Sequence, residues 1–359
     1  MQPKPFKELK ILDLSTVLAG PSVGTFFAEL GARVLKIEHP IYGDVTNSWR
    51  LTNEHDTKIQ SAYYSSVNYQ KEKLKLNFQD PQDYSIFLEE LADTDIVLLN
   101  FKKGDDLKLK LDAKTLWKHR PGLIIGKITG FGSDSDRIAY DLILQAETGF
   151  MSMNGTPESG PVKMPVAFID VLAAHQLKEG LLLALLNKKD RGQLVSVSLY
   201  DAAICSLANQ ASNYLMVGSI PQRMGSLHPN IAPYGEIFQT KDAKQITFAI
   251  GSDQHFEKLV KFLGIAKLAT DPRFSVNIER VKNRAALFQL LEPFISKKTS
   301  SEICTSLIEL NVPVAQIKAL DEVFTGQAAQ KLVRTESIDR IDTKRVTQIA
   351  FHIQDDPNT

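Results

Sequence analysis

Short apolar runs alternate with helical segments from residue 11 to residue 129, and that alternation leaves the chain few ways to fold. Residues 11–15, 33–38, 74–78, 95–101 and 123–129 read as strands, and residues 21–31, 81–92 and 112–119 between them as helices. Strands and helices taking turns at this spacing call for a parallel sheet covered on both faces, an α/β doubly wound domain. Residues 39–66 show little periodicity and read as a long loop with room for a helix.

The longest apolar stretch, residues 171–186, follows Asp170 directly. An acid placed before such a run reads as an N-cap, because its side chain accepts from the orphan amides of the first turn. Those amides and the helix dipole are expected to keep the carboxylate ionised. Residues 181–186 are apolar all round, so the second half of the helix is expected to be buried. Asp170 is thus expected at the edge of a core, either as a simple cap or facing a pocket.

Residues 193–199 alternate as a strand and residues 201–217 as a helix, after which Gly218 to Gly225 has the composition of a linker. Two strand-like runs flank Lys241 to Lys244 as a hairpin, and helices follow near 253–263, 279–295 and 300–310. Thr299 and Glu302 form a capping box for the last of these. The expected organisation is a large domain of residues 1–221 plus 323–359 and a smaller α+β domain of residues 222–322.

With 42 basic against 42 acidic residues, charge gives no reason to expect nucleic acid or an anionic membrane as a partner. Cys205 and Cys304 stand apart, which suits a reducing compartment rather than a disulfide framework. No stretch reads as a signal peptide or a membrane span, so a soluble, cytoplasmic protein is expected. No His, Cys or carboxylate group has metal-ligand spacing, and no metal is expected.

Several motifs fall short. Gly20-Pro-Ser-Val-Gly24 matches the nucleophile-elbow pattern, but it follows what reads as the first strand, so no earlier loop exists to supply the oxyanion amide; Ser22 reads as an ordinary first-turn residue. Glu38 ends the second strand where a ribose-binding acid would sit, yet Gly20 and Gly24 do not make the dinucleotide fingerprint. Gly122 to Ile128, with Gly126-Lys127, misses the P-loop in spacing and in its final hydroxyl residue. Asn100-Phe-Lys-Lys-Gly104 ends a strand and leads into Lys108, Lys110 and Lys114, where a polyanion could bind or a basic helix face could simply be solvated. Lys71, Lys73 and Lys75 carry the same ambiguity.

Taken in order, Leu12 to Pro21, Leu30 to Glu38, Gly43-Asp44, Asn100-Phe101, Gly130-Phe-Gly132, Tyr140-Asp141, Asp170, Arg191-Gly-Gln193, His228 to Tyr234, Thr240-Lys-Asp242 and Asp271 to Phe274 resemble the class III CoA-transferases. That family includes formyl-CoA transferase, carnitine CoA-transferase and α-methylacyl-CoA racemase. The resemblance implies a Rossmann-like large domain, an interlocked homodimer, and Asp170 as the nucleophile with Tyr140 and Asp141 lining the reacting end. It implies CoA or acyl-CoA as a substrate rather than a tightly bound cofactor, with small carboxylic acids as the other substrates. CoA would be held near Leu18 and Ala19, with its adenosine end near His39, Leu76, Asn77 and Phe78. Its phosphates would lie near Asn100, Phe101, Lys102 and Lys108, with Arg137 also against CoA.

This chain departs from the family's pattern in places: Tyr140 stands where the racemases place a His, and His39, Lys102 and Lys108 stand where arginines are common. A phenol, with a reference pKa of about 10, is a poor base at neutral pH, which favours transfer over racemisation. The alternatives are an acyl-CoA racemase or epimerase, and a CoA-binding protein without catalysis.

Overall fold

The computed structural model describes residues 4–54, 60–187, 190–338 and 341–354. Its principal sheet consists of six strands: β1 (Lys10–Asp13), β2 (Arg33–Glu38), β3 (Lys71–Lys75), β4 (Ile96–Leu99), β5 (Ile124–Thr129) and β6 (Gln193–Ser198). Every neighbouring pair runs parallel, in the order β3-β2-β1-β4-β5-β6. Side chains alternate between two cores. Ile11, Val34, Ile96, Leu98 and Ile124 enter one, and Leu12, Leu35, Val97 and Ile125 the other. Helices Ala19–Glu29, Phe168–Leu186 and Leu199–Cys205 cover the first face, and Pro81–Leu91 and Ala113–His119 the second. Burial on both faces is why β1, β2, β4 and β5 read as largely apolar runs, whereas the edge strands β3 (KEKLK) and β6 (QLVSVS) do not.

The strand order has a consequence for binding. From β1 the chain winds outward to β2 and β3, then returns to lay β4 on the other side of β1. The loops after β1 and β4 therefore diverge, leaving a crevice at the carboxyl ends of these two strands.

The described residues group into two compact units. One draws on residues 1–151, 163–221 and 330–359, the other on residues 152–162 and 222–329. Residues beyond 330 return to the first unit through an antiparallel pair, β10 (Val333–Ile338) with β11 (Ile341–Val346), followed by Ile349, which is buried in the first core. The Gln348 amide donates to the Glu29 carboxylate. In the second unit β7 (Tyr234–Gln239), β8 (Gln245–Ala249) and β9 (Val314–Gln316) form an antiparallel sheet over Phe238, Phe248, Phe256, Leu287 and Leu291. The expected hairpin and the Thr299–Glu302 capping box are both present.

Elsewhere the boundaries move for local reasons. The stretch read as one helix over 201–217 is two, Leu199–Cys205 and Ala208–Val217, the second opening on Ala208 at φ +48°. β3 begins at Lys71 rather than Leu74, because Lys71 is a buried sheet residue and not a rim cation. The second half of the Asp170 helix is buried along one side only, Leu183 and Leu186 being 60% and 82% exposed. Among the described residues no helix is long and apolar enough to cross a membrane, and no group of side chains could hold a metal ion.

Candidate active site

The turn from Ser15 to Leu18 joins β1 to the Ala19–Glu29 helix and forms one wall of the crevice. Val17 sits at φ +73°, a region a β-branched residue enters only when its surroundings hold it there. The Asn100 side chain supplies one hold, accepting from the Thr16 amide at 3.0 Å and donating to its carbonyl at 2.8 Å. Asp44 supplies another by accepting from the Val17 amide at 3.2 Å. Beneath the turn, Lys36 donates to the Ser15 carbonyl and lies 3.4 Å from Asp44, with both side chains fully buried.

A second buried pair joins Lys71 to Asp13 at 2.7 Å, and Asp13 accepts from the Ser15 amide and hydroxyl. Burial alone would raise the Asp13 pKa, but Lys71, Lys36 and these hydrogen bonds bring it below the ordinary value. Burial lowers Lys71 to about 8 despite Asp13. The two glycines of the failed hydrolase motif belong to this packing: a Cβ on Gly20 would strike the Ser15 side chain, and one on Gly24 would lie 2.9 Å from the Asp13 carboxylate. Ser22 is buried within the helix, which removes it as a nucleophile.

This turn aims the start of the helix at the crevice. Leu18 is the N-cap and Ala19 the first helical residue, so their amides lie beyond the reach of any intrahelical carbonyl.

Asp170 lies opposite, in the first turn of Phe168–Leu186 rather than at its cap. The cap position falls to Ala167, which has no side chain to serve it. Asp141 takes over that work from a neighbouring helix, accepting from the Ile169 amide at 2.7 Å. Its other oxygen accepts from buried Gln145 at 2.5 Å, and Gln145 in turn accepts from the Met164 amide at 2.8 Å. Two side chains thus fix the segment leading into Asp170.

Asp170 is 8% exposed, and its carboxylate has no hydrogen-bond partner among the described residues. Burial, and after it the Asp141 charge, pushes its pKa up to about 7, against the expectation of a carboxylate held ionised. The helix N-terminus opposes this shift without cancelling it. If Asp170 acts as a carboxylate, activity rises with pH through about 7. In Asp141→Asn, which removes a charge but keeps an acceptor for Ile169, the rising limb should move to lower pH, as pH–rate profiles of the two proteins would show.

Asp170, Leu18, Ala19, Asn100, Phe101, Lys102, Arg137 and Tyr140 all line one cavity of about 200 Å³ in the first unit. A carboxylate, the residues of a helix start and cations meet at this cavity, a set suited to an anionic ligand and to negative charge that develops on it.

The sequence profile described as CoA-transferase family III matches residues 6–358. The chain belongs to CoA-transferase family III. This family III enzyme is 32% identical over 334 residues to the succinate–glutarate CoA-transferase of Agrobacterium fabrum, covering 91% of this chain and 83% of that protein. It is 33% identical over 319 residues to the acetyl-CoA:oxalate CoA-transferase of Acetobacter aceti, covering 87% and 80%. Among solved structures, a CAIB/BAIF family protein from Brucella suis superimposes with a TM-score of 0.84 at 32% identity, covering 99% of this chain and 94% of that one. CoA-transferases use CoA thioesters as substrates.

The remaining residues singled out in the sequence lie outside the family III cavity. His39 follows β2 and accepts from the Ile41 amide, while stacking on exposed Tyr42. Leu76 is buried in the second core, the Asn77 amide donates to Asp83, and Phe78 packs edge-on against Phe87; all three follow β3 at the same carboxyl rim of the sheet. Lys108 is exposed and paired with Asp105. Within the cavity, Asn100 spends its amide on Thr16, and Arg137 forks onto Glu147 while lying over the Phe131 ring.

The sequence reading gave no role to Asp13, Lys36, Asp44 or Gln145, and it set Lys71 among rim lysines that could meet a polyanion, whereas the structure buries it against Asp13. It also passed over Tyr63, which packs against Trp49 and is pushed up to about 12 by burial and then by Asp170, Asp141 and Asp44. Buried lysines in strand patterns were the available signal, since such cations are rarely tolerated without partners.

Proposed function

We propose that this enzyme moves CoA from an acyl-CoA to a small carboxylic acid, with Asp170 as nucleophile. The observation that carries the reading is the unpartnered, largely buried Asp170 carboxylate in a cavity it shares with the helix start at Leu18 and Ala19. An Asp170 oxygen attacks the thioester carbonyl, the C–S bond breaks, and a mixed anhydride and CoA thiolate result. The thiolate then attacks the aspartyl carbonyl, expelling the donor acid as its carboxylate and leaving an aspartyl-CoA thioester. The acceptor carboxylate reverses both steps, and Asp170 is regenerated as acyl-CoA departs. The Leu18 and Ala19 amides are suited to the oxyanion of each tetrahedral intermediate.

Short dicarboxylates are the proposed acids, because the names of the Agrobacterium and Acetobacter relatives specify succinate, glutarate and oxalate. The protein is read as an interlocked homodimer. None of the residues of helix Ala208–Val217 is buried, and Leu215, Met216 and Val217 are 77–83% exposed, an apolar surface that a second copy would cover. A cytoplasmic location accords with the free Cys205 and Cys304.

The test incubates the protein, first checked for a dimer by light scattering, with succinyl-CoA and then with a panel of mono- and dicarboxylic acids. A CoA-sized mass increase on the Asp170 peptide, discharged by a dicarboxylate, is expected. No adduct and no new acyl-CoA with any acid would remove the proposal.

A further inference from the structure

Gly126-Lys127 failed as a P-loop in sequence, and the structure shows where that lysine goes. Along β5, Ile124 and Ile128 enter the core beneath the Asp170 helix, and a Cβ on Gly126 would meet Leu181 of that helix. Strand alternation therefore turns Lys127 and Thr129 to the opposite face. Both come at the carboxyl end of β5 and line the same cavity as Lys102 and Lys103 of the loop after β4.

Lys127 is held by Asp106 at 2.6 Å, and each side chain is only 14% exposed. The Thr129 hydroxyl beside it is buried and bonded to nothing among the described residues. Buried hydroxyls are rarely left so, and this one belongs to a residue that shares the cavity wall with Lys127, which suits the pair to an anionic ligand oxygen. Of the residues the resemblance placed near the phosphates, Asn100 is committed to the Thr16 backbone and Lys108 to Asp105 outside the cavity, while Lys102 stays at the cavity wall; Arg137, placed against CoA as well, is paired with Glu147.

We infer that Lys127 and Thr129 receive the diphosphate of the CoA arm, a role that rests on the transferase reading above and specifies its anionic subsite. Here side chains on a rigid strand end do what loop amides do in a P-loop. Asp106 holds the ammonium in place before the ligand arrives and shares it afterwards.

The test compares acyl-CoA with acyl-pantetheine, which keeps the thioester but lacks the diphosphate and nucleotide. In Lys127→Met, KM for acyl-CoA should rise about ten-fold, the worth of a lost charge-assisted hydrogen bond, with kcat held and acyl-pantetheine kinetics unchanged. Lys127→Gln, which can still bond Asp106, should behave the same way and guards against misfolding. Thr129→Val should show a smaller rise that Thr129→Ser reverses, and Asp106→Asn, by releasing Lys127, should tighten CoA in calorimetry. A purely structural ion pair instead predicts that Asp106→Asn and Lys127→Met impair both thioesters alike, and that result overturns the inference. So does an unchanged KM in both Lys127 variants. Failure of the wild-type protein to bind CoA would remove the transferase reading as well, whereas normal wild-type binding with insensitive Lys127 variants removes the subsite alone.

Discussion

Asp170→Ala should lower acyl transfer by at least about 10⁴-fold, the scale on which enzymes lose turnover when a covalent nucleophile is removed. CoA should still bind, because the cavity walls at Leu18, Phe101 and Lys102 are untouched. Asp170→Asn should be as inactive while preserving shape. Stability should move the other way. Burial and Asp141 raise the folded-state pKa of Asp170 to about 7, so the folded protein holds this proton more tightly than the unfolded chain. The wild type therefore loses stability as pH rises from about 4 to 7, and above that range bears the full cost of the buried charge. Asp170→Asn bears none of it. At pH 8 the variant should be inactive yet unfold at a higher urea concentration than the wild type, a trade of stability for function at a strained site. Turnover within ten-fold of wild type in either variant would exclude Asp170 as the group that carries the acyl chain.

The parts legible in the sequence were those governed by period and by local chemistry. Strands buried on both faces announce themselves as apolar runs, so the parallel sheet could be read from residues 11–129, and Thr299 with Glu302 could be read as a cap. Strand order could not be read, because nothing in the run at 96–99 says that it lies beside β1 rather than β3. Asp170 was located as an acid at a helix start, but its neighbours were not. The carboxylate that caps its helix comes from position 141, and burial, with that neighbouring charge after it, raises a pKa that helix position alone would lower. Lys71 illustrates the limit most sharply. Between Gln70 and Glu72 it looks like one of several solvated cations, and only the crossover that sets β3 beside β2 brings it under the first helix.

That burial makes Lys71→Met the substitution with the largest expected effect on stability. Its ammonium lies within 2.7–3.0 Å of the Asp13 carboxylate, the Pro21 and Val67 carbonyls and the Asn68 side chain, in a site closed to water. Methionine fills a similar volume but satisfies none of these oxygens, and it leaves Asp13 charged and unpaired. Breaking a buried pair from one side costs about 3–5 kcal/mol. Both tryptophans, Trp49 and Trp117, belong to the first unit, so their fluorescence in urea reports the transition that should shift. Adding Asp13→Asn removes the stranded charge while keeping an acceptor for Ser15, and should recover part of the loss; the carbonyls at 21 and 67 remain unsatisfied, so recovery stays incomplete. Catalysis should fall as well, since Asp13 anchors Ser15 at the base of the turn that orients Leu18 and Ala19. A double-mutant cycle that finds no coupling between positions 13 and 71 would show that the buried pair does not support this turn.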